Sequence, residues 1–221
     1  MNKLLVIGIS GVTCGGKTTL ANELNKIFPN SKVISQDDYF LPIDDERHVI
    51  IPHLNHINFD VSSSLDMKKM VESIQESIAS TENLVETNVK IIEDDLVTKI
   101  NPSFDVQSSV VQVAKNLHIN ILIIEGFCIF ADKTIEELCN LKYFVTLDRE
   151  ECYNRRIQRV YEPPDCPGYF EDCAWPEYEK HYKYVCKNLK QIRFFNESTK
   201  EPLKEVLLDI WQSLQNIYDI L

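Results

Sequence analysis

Eight residues near the start of the chain, Gly11-Val12-Thr13-Cys14-Gly15-Gly16-Lys17-Thr18, constrain the fold more than any other stretch. They have the spacing of a phosphate-cradling P-loop: a glycine, four residues, then Gly-Lys-Thr. Such a loop needs a strand behind it and a helix ahead of it, and the sequence offers both. Leu4-Leu5-Val6-Ile7-Gly8-Ile9 is a short branched apolar run of the kind that forms a buried parallel strand. Leu20, Ala21, Leu24, Ile27 and Phe28 recur at helical spacing, and Pro29-Asn30 ends the helix. Glycines let backbone N–H groups turn around an anion with no Cβ in the way. The helix N-terminus adds unpaired donors and the positive end of its dipole. Lys17 would reach the outer phosphates, and the Thr18 hydroxyl would ligate Mg²⁺. The expected ligand is a nucleoside triphosphate; the flanking strand and helix weigh against a glycine-rich turn that binds nothing.

The rest of the chain repeats the strand–helix alternation, which indicates a doubly wound α/β domain with a parallel sheet and helices on both faces. Lys32-Val33-Ile34-Ser35 reads as a second strand, and the acids after it, Asp37 and Asp38, would arrive at the sheet edge that carries the P-loop. A general base for a hydroxyl nucleophile, or an anchor for Mg²⁺, belongs there; spacing does not say which aspartate acts. Residues 41–63 read as irregular, and the spacing of His48, His53 and His56 fits loop histidines better than a metal site. A helix follows, with Leu65, Met67, Met70, Val71, Ile74 and Ile78 on its apolar face.

Residues 81–119 read as an insertion-like elaboration, with a short strand at 89–92, an acidic turn at 93–95 and a helix carrying Val110, Val111, Val113, Ala114 and Leu117. Ile121-Leu122-Ile123-Ile124-Glu125 returns to a buried strand with an acid at its carboxyl end. That is the place of a carboxylate serving the Mg²⁺ shell directly or through water, a structural partner being the alternative.

A helix at 133–140 and a strand at 143–147 continue the pattern. Asp148 then stands as N-cap of a helix expected to carry Arg155, Arg156 and Arg159, with Arg155 and Arg159 on one face. Guanidinium forks there suit a transferring phosphoryl group; a solvated face paired with Glu150 and Glu151 is the alternative. The Pro-, Gly- and Tyr-rich run from Val160 to Phe170 has the character of a lid. A helix at 175–189, a strand at 192–195 and a final helix follow.

Composition sets the class. A length of 221 residues suits one domain, 1–221, with a lid at about 155–175. The formal net charge of −11 disfavours a nucleic-acid polymer as partner, and it implies that a triphosphate site must be a local positive island. Seven scattered cysteines without a Cys-x-x-Cys pair read as reduced thiols, and no run has membrane-spanning length or signal-peptide form, so the expected location is the cytosol. Monomer and homo-oligomer both stay open.

The chain resembles the nicotinamide riboside kinases, within the P-loop nucleoside kinases. The resemblance is carried by Ile9-Ser10-Gly11-Val12-Thr13 with the P-loop, Ser35-Gln36-Asp37-Asp38-Tyr39-Phe40, and Ile123-Ile124-Glu125-Gly126-Phe127. Most diagnostic is Arg155-Arg156 with Arg159-Val160-Tyr161-Glu162-Pro163-Pro164-Asp165 and Pro167-Gly168-Tyr169-Phe170. The resemblance implies ATP- and Mg²⁺-dependent phosphorylation of the 5′-hydroxyl of nicotinamide riboside, and of its acid analogue, in NAD salvage. It implies that Asp37 acts on that hydroxyl and lies near Mg²⁺ with Thr18 and Glu125, while Lys17 and Arg159 serve the phosphoryl group. ATP would contact Ser10, Gly11, Val12, Thr13, Cys14, Gly15, Gly16, Lys17 and Thr18, with Arg155, Arg159 and Tyr161, and Thr199, Lys200 and Glu201 would border the adenine.

On the acceptor side the resemblance implies that Phe59 and Tyr161 sandwich the pyridine ring and that Asp60 and Arg156 hold the ribose hydroxyls, with Asp38, Tyr39, Phe40 and Glu162 nearby. Two aromatic faces suit a cationic ring by cation–π attraction. Phe at position 59 keeps the stacking and lacks a hydroxyl. The alternatives are a uridine–cytidine-type or pantothenate-type kinase and, from another class, a nucleotide-binding scaffold without catalysis. No Asn-Lys-x-Asp segment supports a GTPase.

Overall fold

The computed structural model describes residues 4–83 and 106–218. In chain order the elements are β1 (Leu4–Gly11), α1 (Lys17–Ile27), β2 (Ser31–Ser35), β3 (Ile50–Ile51), β4 (His56–Ile57), α2 (Met67–Asn83), α3 (Val106–Asn116), β5 (Asn120–Glu125), α4 (Lys133–Leu138), β6 (Leu141–Val145), α5 (Arg149–Arg156), α6 (Trp175–Asn188), β7 (Ile192–Phe195) and α7 (Pro202–Tyr218). Five strands form a parallel sheet in the order β2-β5-β1-β6-β7. The remaining two, β3 and β4, make a small antiparallel hairpin.

Alternation along the strands sorts the core into two layers. Leu5, Ile7 and Ile9 of β1, with Ile121 and Ile123 of β5 and Tyr143 and Val145 of β6, pack against α1, α3 and α7. Val6, Leu122, Ile124 and Phe144 point to the other face, toward α2, α4 and α6. Both faces of the sheet are therefore covered, which is why its strands read as unbroken apolar runs. The doubly wound fold expected from the sequence is the one observed. Among the described residues no helix is long and apolar enough to cross a membrane.

Register brings the chemistry to one edge. Ile9 pairs with Glu125, Ser35 pairs with Glu125 from the other side, and Gly11 pairs with Val145. The carboxyl ends of β1, β2 and β5 thus present the P-loop, the turn bearing Asp37, and Glu125 together, in the crevice where open α/β sheets bind ligands.

Three local expectations need correction. The strand expected at 143–147 runs from Leu141 to Val145, and Leu147 packs instead in a small cluster with Val12, Cys152 and Tyr169 beneath the lid. The stretch 41–63 contains the β3–β4 hairpin. Helix α5 ends at Arg156, so Arg159 is not on it and the same-face argument for Arg155 and Arg159 fails. At that end Gln158 and Arg159 donate to the carbonyls of Arg155 and Arg156 in tighter turns. The strand and turn expected at 89–95 lie outside the described residues.

Phe144 is fully buried between the sheet and α6, in ring contact with Tyr178 and His181. Phe144→Ala should therefore lower the unfolding free energy by about 3–5 kcal/mol, as large-to-small core changes do. Urea denaturation checks this, and a loss below about 1 kcal/mol would contradict the packing described.

Candidate active site

The loop after β1 is shaped by its glycines. Gly11 has φ +126°, and a Cβ there would lie 2.1 Å from the Val145 carbonyl oxygen, so only glycine fits against β6. Val12 N–H donates to the Val145 carbonyl at 2.9 Å and anchors the loop to the sheet. Lys17, only 8% exposed, donates from Nζ to the Val12 carbonyl at 2.7 Å. Burial lowers the Lys17 pKa, while Glu125 and Asp37 pull the other way.

Two carboxylates face this lysine. The Glu125 carboxylate accepts from Ser35 Oγ at 2.6 Å and from Thr18 Oγ1 at 3.3 Å to each oxygen. Asp37 sits in the 3₁₀ turn Gln36–Tyr39 directly after β2. Burial raises the pKa of both acids, and Lys17 opposes the rise in each. The turn is held by Gln36, whose Oε1 accepts the Cys128 N–H at 3.0 Å; a Cβ at Gly126 would lie 2.3 Å from Gln36 Cβ, which accounts for the glycine after Glu125.

A cavity of about 270 Å³ opens from the P-loop toward the lid. Its lining includes Thr13 to Thr18, Asp37, Glu125 and Arg159, together with Phe40, Leu41, Ile43, Phe59, Phe127, Tyr161 and Tyr169. Asp60, Arg156 and Asp165 belong to the same lining. The Arg156 guanidinium forks onto both carboxylates: Nε to Asp165 Oδ2 at 2.7 Å, and Nη1 and Nη2 to Asp60 at 3.3 and 3.2 Å. It also lies over the Tyr161 ring at 4.7 Å and the Tyr169 ring at 5.3 Å. The Tyr161 hydroxyl in turn meets Thr13 Oγ1 at 3.4 Å.

Most of the residues singled out in the sequence meet here, but not all. Asp38 and Tyr39 do not line the cavity, and Tyr39 packs against the core instead. Ser10 is fully buried behind the loop, where its hydroxyl faces the Phe127 carbonyl at 3.3 Å and His181 Nε2 at 3.4 Å. Arg155 faces a second groove of about 220 Å³ with Gly15, Gly16, Asn196, Glu197, Thr199 and Pro202; Lys200 and Glu201 lie outside that groove. It pairs with Glu151 at 2.6 Å, which is the solvated-face alternative for that one arginine.

Sequence reasoning missed Asp165, Tyr169, Phe127, Leu41 and Ile43 as lining residues. Asp165 and Tyr169 had a readable signal, since both stand in the lid run after Arg156. The histidines turn out to be tied: His48 to Ser64 and Pro42, His53 to Asp172, and His56 to Ile57 and Pro164.

Residues 6–162 match the phosphoribulokinase / uridine kinase family. Nicotinamide riboside kinase 1 of Mus musculus is 36% identical over 96% of this chain and 97% of its own length. Nicotinamide riboside kinase 2 of Homo sapiens is 33% identical over 96% of this chain and 83% of its own. A uridine kinase from Streptococcus equi subsp. zooepidemicus is similar at 26% over 72% of this chain. The chain belongs to the nicotinamide riboside kinases, within the phosphoribulokinase / uridine kinase family. It is a kinase, and a nucleotide is its phosphoryl donor.

For a kinase the charge of the cavity is unexpected. Its lining holds three cations, Lys17, Arg156 and Arg159, against five carboxylates, Asp37, Asp60, Glu125, Glu162 and Asp165. The positive island expected from the net charge is therefore corrected: side chains leave the cavity net negative, and backbone N–H groups of the loop supply the local pull on phosphate.

Behind the loop, burial pushes the His181 pKa down to about 4. Its depressed folded-state value means that the stabilisation is complete above the unfolded pKa near 6.5 and is lost as pH falls toward 4. Urea midpoints should fall between pH 7 and pH 4.5, with His181 contributing up to about 3 kcal/mol. His181→Gln should flatten that slope; an unchanged slope would remove this role.

Proposed function

We propose that this kinase transfers the γ-phosphoryl group of Mg-ATP to the 5′-hydroxyl of nicotinamide riboside, and of nicotinic acid riboside, in cytosolic NAD salvage. The observation that carries the reading is one cavity in which Lys17 and Asp37 share walls with Phe59, Tyr161 and the Asp60–Arg156 pair. A donor end built for phosphate meets an acceptor end with aromatic faces and a carboxylate–guanidinium pair for vicinal hydroxyls. The relatives, named as nicotinamide riboside kinases, support that acceptor.

The residues fit a magnesium ion by the chemistry of the donor set. Thr18, Glu125 and Asp37 offer hard oxygen atoms, and a cavity with more carboxylates than cations has negative charge to spare. Among the described residues no three His, Cys, Asp or Glu form a cage, and Mg²⁺ at kinase sites takes most of its ligands from phosphates and water. Held by Thr18, Glu125 and Asp37, the ion would neutralise charge on the phosphates of the donor.

The chain's own groups then divide the work. Loop N–H groups and Lys17 hold the outer phosphates, and Arg159 meets the charge spreading over the transferring group. Asp37, its pKa raised by burial, orients the 5′-hydroxyl and takes up its proton as the new P–O bond forms and the bond from the γ-phosphorus to the β–γ bridging oxygen breaks, releasing ADP. Asp60 accepts from the ribose hydroxyls while Arg156 holds the carboxylate in place. Phe59 and the free face of Tyr161 bracket the cationic ring, each contributing roughly 1–2 kcal/mol when desolvated. The adenine would enter the groove beside Arg155 and Thr199. Closure of the lid over both substrates limits wasteful hydrolysis.

A panel of nicotinamide riboside, uridine, cytidine and pantothenate with Mg-ATP tests the reading. Turnover should be highest with nicotinamide riboside; none with it, or faster turnover of a pyrimidine nucleoside, would overturn the assignment. Asp37→Ala should lower kcat by at least about 100-fold. Nucleotide affinity, measured by calorimetry, should stay within about threefold. Asp60→Asn should act mainly on the riboside KM. A kcat near the parent's in Asp37→Ala would remove the proposed base.

A further inference from the structure

Three acids belong to the riboside half of the cavity, and they are not equivalent. Asp60 and Asp165 are both consumed by Arg156, with contacts from 2.7 to 3.3 Å. Glu162 makes no ion pair or hydrogen bond among the described residues; it is solvent-exposed and lines the cavity beside Tyr161 and Pro163. Arg156 is already shared by two carboxylates, and Arg159, which lines the same cavity, is assigned to the phosphoryl group, so among the described residues Glu162 is a surplus negative charge. The nearby imidazoles offer no compensation: His48 and His56 stand edge-on to Phe59, turn their ring nitrogens to Ser64, Pro42, Ile57 and Pro164, and do not line the cavity.

An unpaired carboxylate beside an aromatic platform is a charge filter. The two ribosides that such a cavity could accept share the cationic pyridine ring and differ at one substituent, a neutral carboxamide or a carboxylate. With the ribose at Asp60 and the 5′-hydroxyl toward Asp37, a ring stacked on Tyr161 would bring its substituent to the neighbouring Glu162 and Pro163, which line the same cavity. The carboxamide brings net positive charge to that wall and can donate its N–H to a carboxylate. The acid brings a second negative charge.

We infer that Glu162 is the specificity-determining residue that makes this enzyme favour the carboxamide riboside over the carboxylate riboside. The inference rests on the proposed riboside kinase activity and adds the discrimination between its two acceptors. Glu162 is solvent-exposed, so like-charge repulsion acts at close range through water and makes the expected preference at most on the order of tenfold in kcat/KM.

The test measures kcat and KM for both ribosides, at saturating Mg-ATP, in the parent enzyme and in Glu162→Gln and Glu162→Asp. The parent should favour the amide by about tenfold, mostly through a higher KM for the acid. Glu162→Gln keeps the size and removes the charge, so the ratio should collapse toward about one by a fall in the KM of the acid, while Glu162→Asp should keep most of the preference. A parent that turns over both ribosides equally, or a ratio unmoved in Glu162→Gln, would overturn the role of Glu162 and leave the kinase assignment standing. Failure to phosphorylate either riboside would overturn both.

Discussion

A single buried guanidinium organises the acceptor half of this protein. Arg156 is the last residue of α5, is 6% exposed, and is held by carboxylates from two separate loops, Asp60 after the β3–β4 hairpin and Asp165 in the lid. Burial alone would lower its pKa, but Asp60 and Asp165 outweigh that and hold the value above the usual guanidinium range. Removing one partner from a buried pair of this kind typically costs about 3–5 kcal/mol, because the other charge is left unmatched. The same group lies over the rings of Tyr161 and Tyr169, and Tyr169 accepts the Phe59 N–H at its hydroxyl at 2.8 Å. The lid, the hairpin segment and the aromatic walls are thus positioned through one side chain.

The donor half depends on sheet geometry instead. Parallel pairing places Gly11, Ser35 and Glu125 at one edge, and each then has a distinct task. Gly11 lets the loop press against Val145, while Ser35 and Thr18 aim the Glu125 carboxylate. Electrostatics joins the halves. Lys17 and Arg159 moderate Asp37, which burial would otherwise drive further toward its neutral form. A site with five carboxylates and three cations suits a cationic acceptor and a metal-bound donor better than a free anion. That balance, rather than any one contact, ties the reading of the substrate to the reading of the metal.

Much of this was legible in the sequence, for physical reasons that also mark where legibility stopped. The P-loop, the acids at strand ends and the order of strand and helix were readable because short-range patterns fix them: branched apolar runs, glycine spacing and helical periodicity. Asp37 and Glu125 came together because parallel topology sends strand ends to one edge, whereas Asp60 and Arg156 meet there through their ion pair. What failed depended on contacts between distant segments. The end of α5 at Arg156 could not be read from arginine spacing, so Arg155 and Arg159 were placed on one face and in fact line different cavities. Asp38 and Tyr39 look as functional in sequence as Asp37, and only the 3₁₀ turn decides which of them faces the cavity. Net charge says nothing of where acids sit, and five of the 34 line the cavity.

The central claim is that one cavity holds a phosphate donor and a cationic riboside in line, with Asp37 between them. A crystal structure of the complex with Mg²⁺, a non-hydrolysable ATP analogue and nicotinamide riboside tests it most directly. The account predicts the riboside 5′-oxygen within hydrogen-bond distance of Asp37 and facing the γ-phosphate, the ribose hydroxyls on Asp60, and the pyridine ring between Phe59 and Tyr161. A riboside bound with its ring at the P-loop end, or with its 5′-oxygen remote from Asp37, would contradict it.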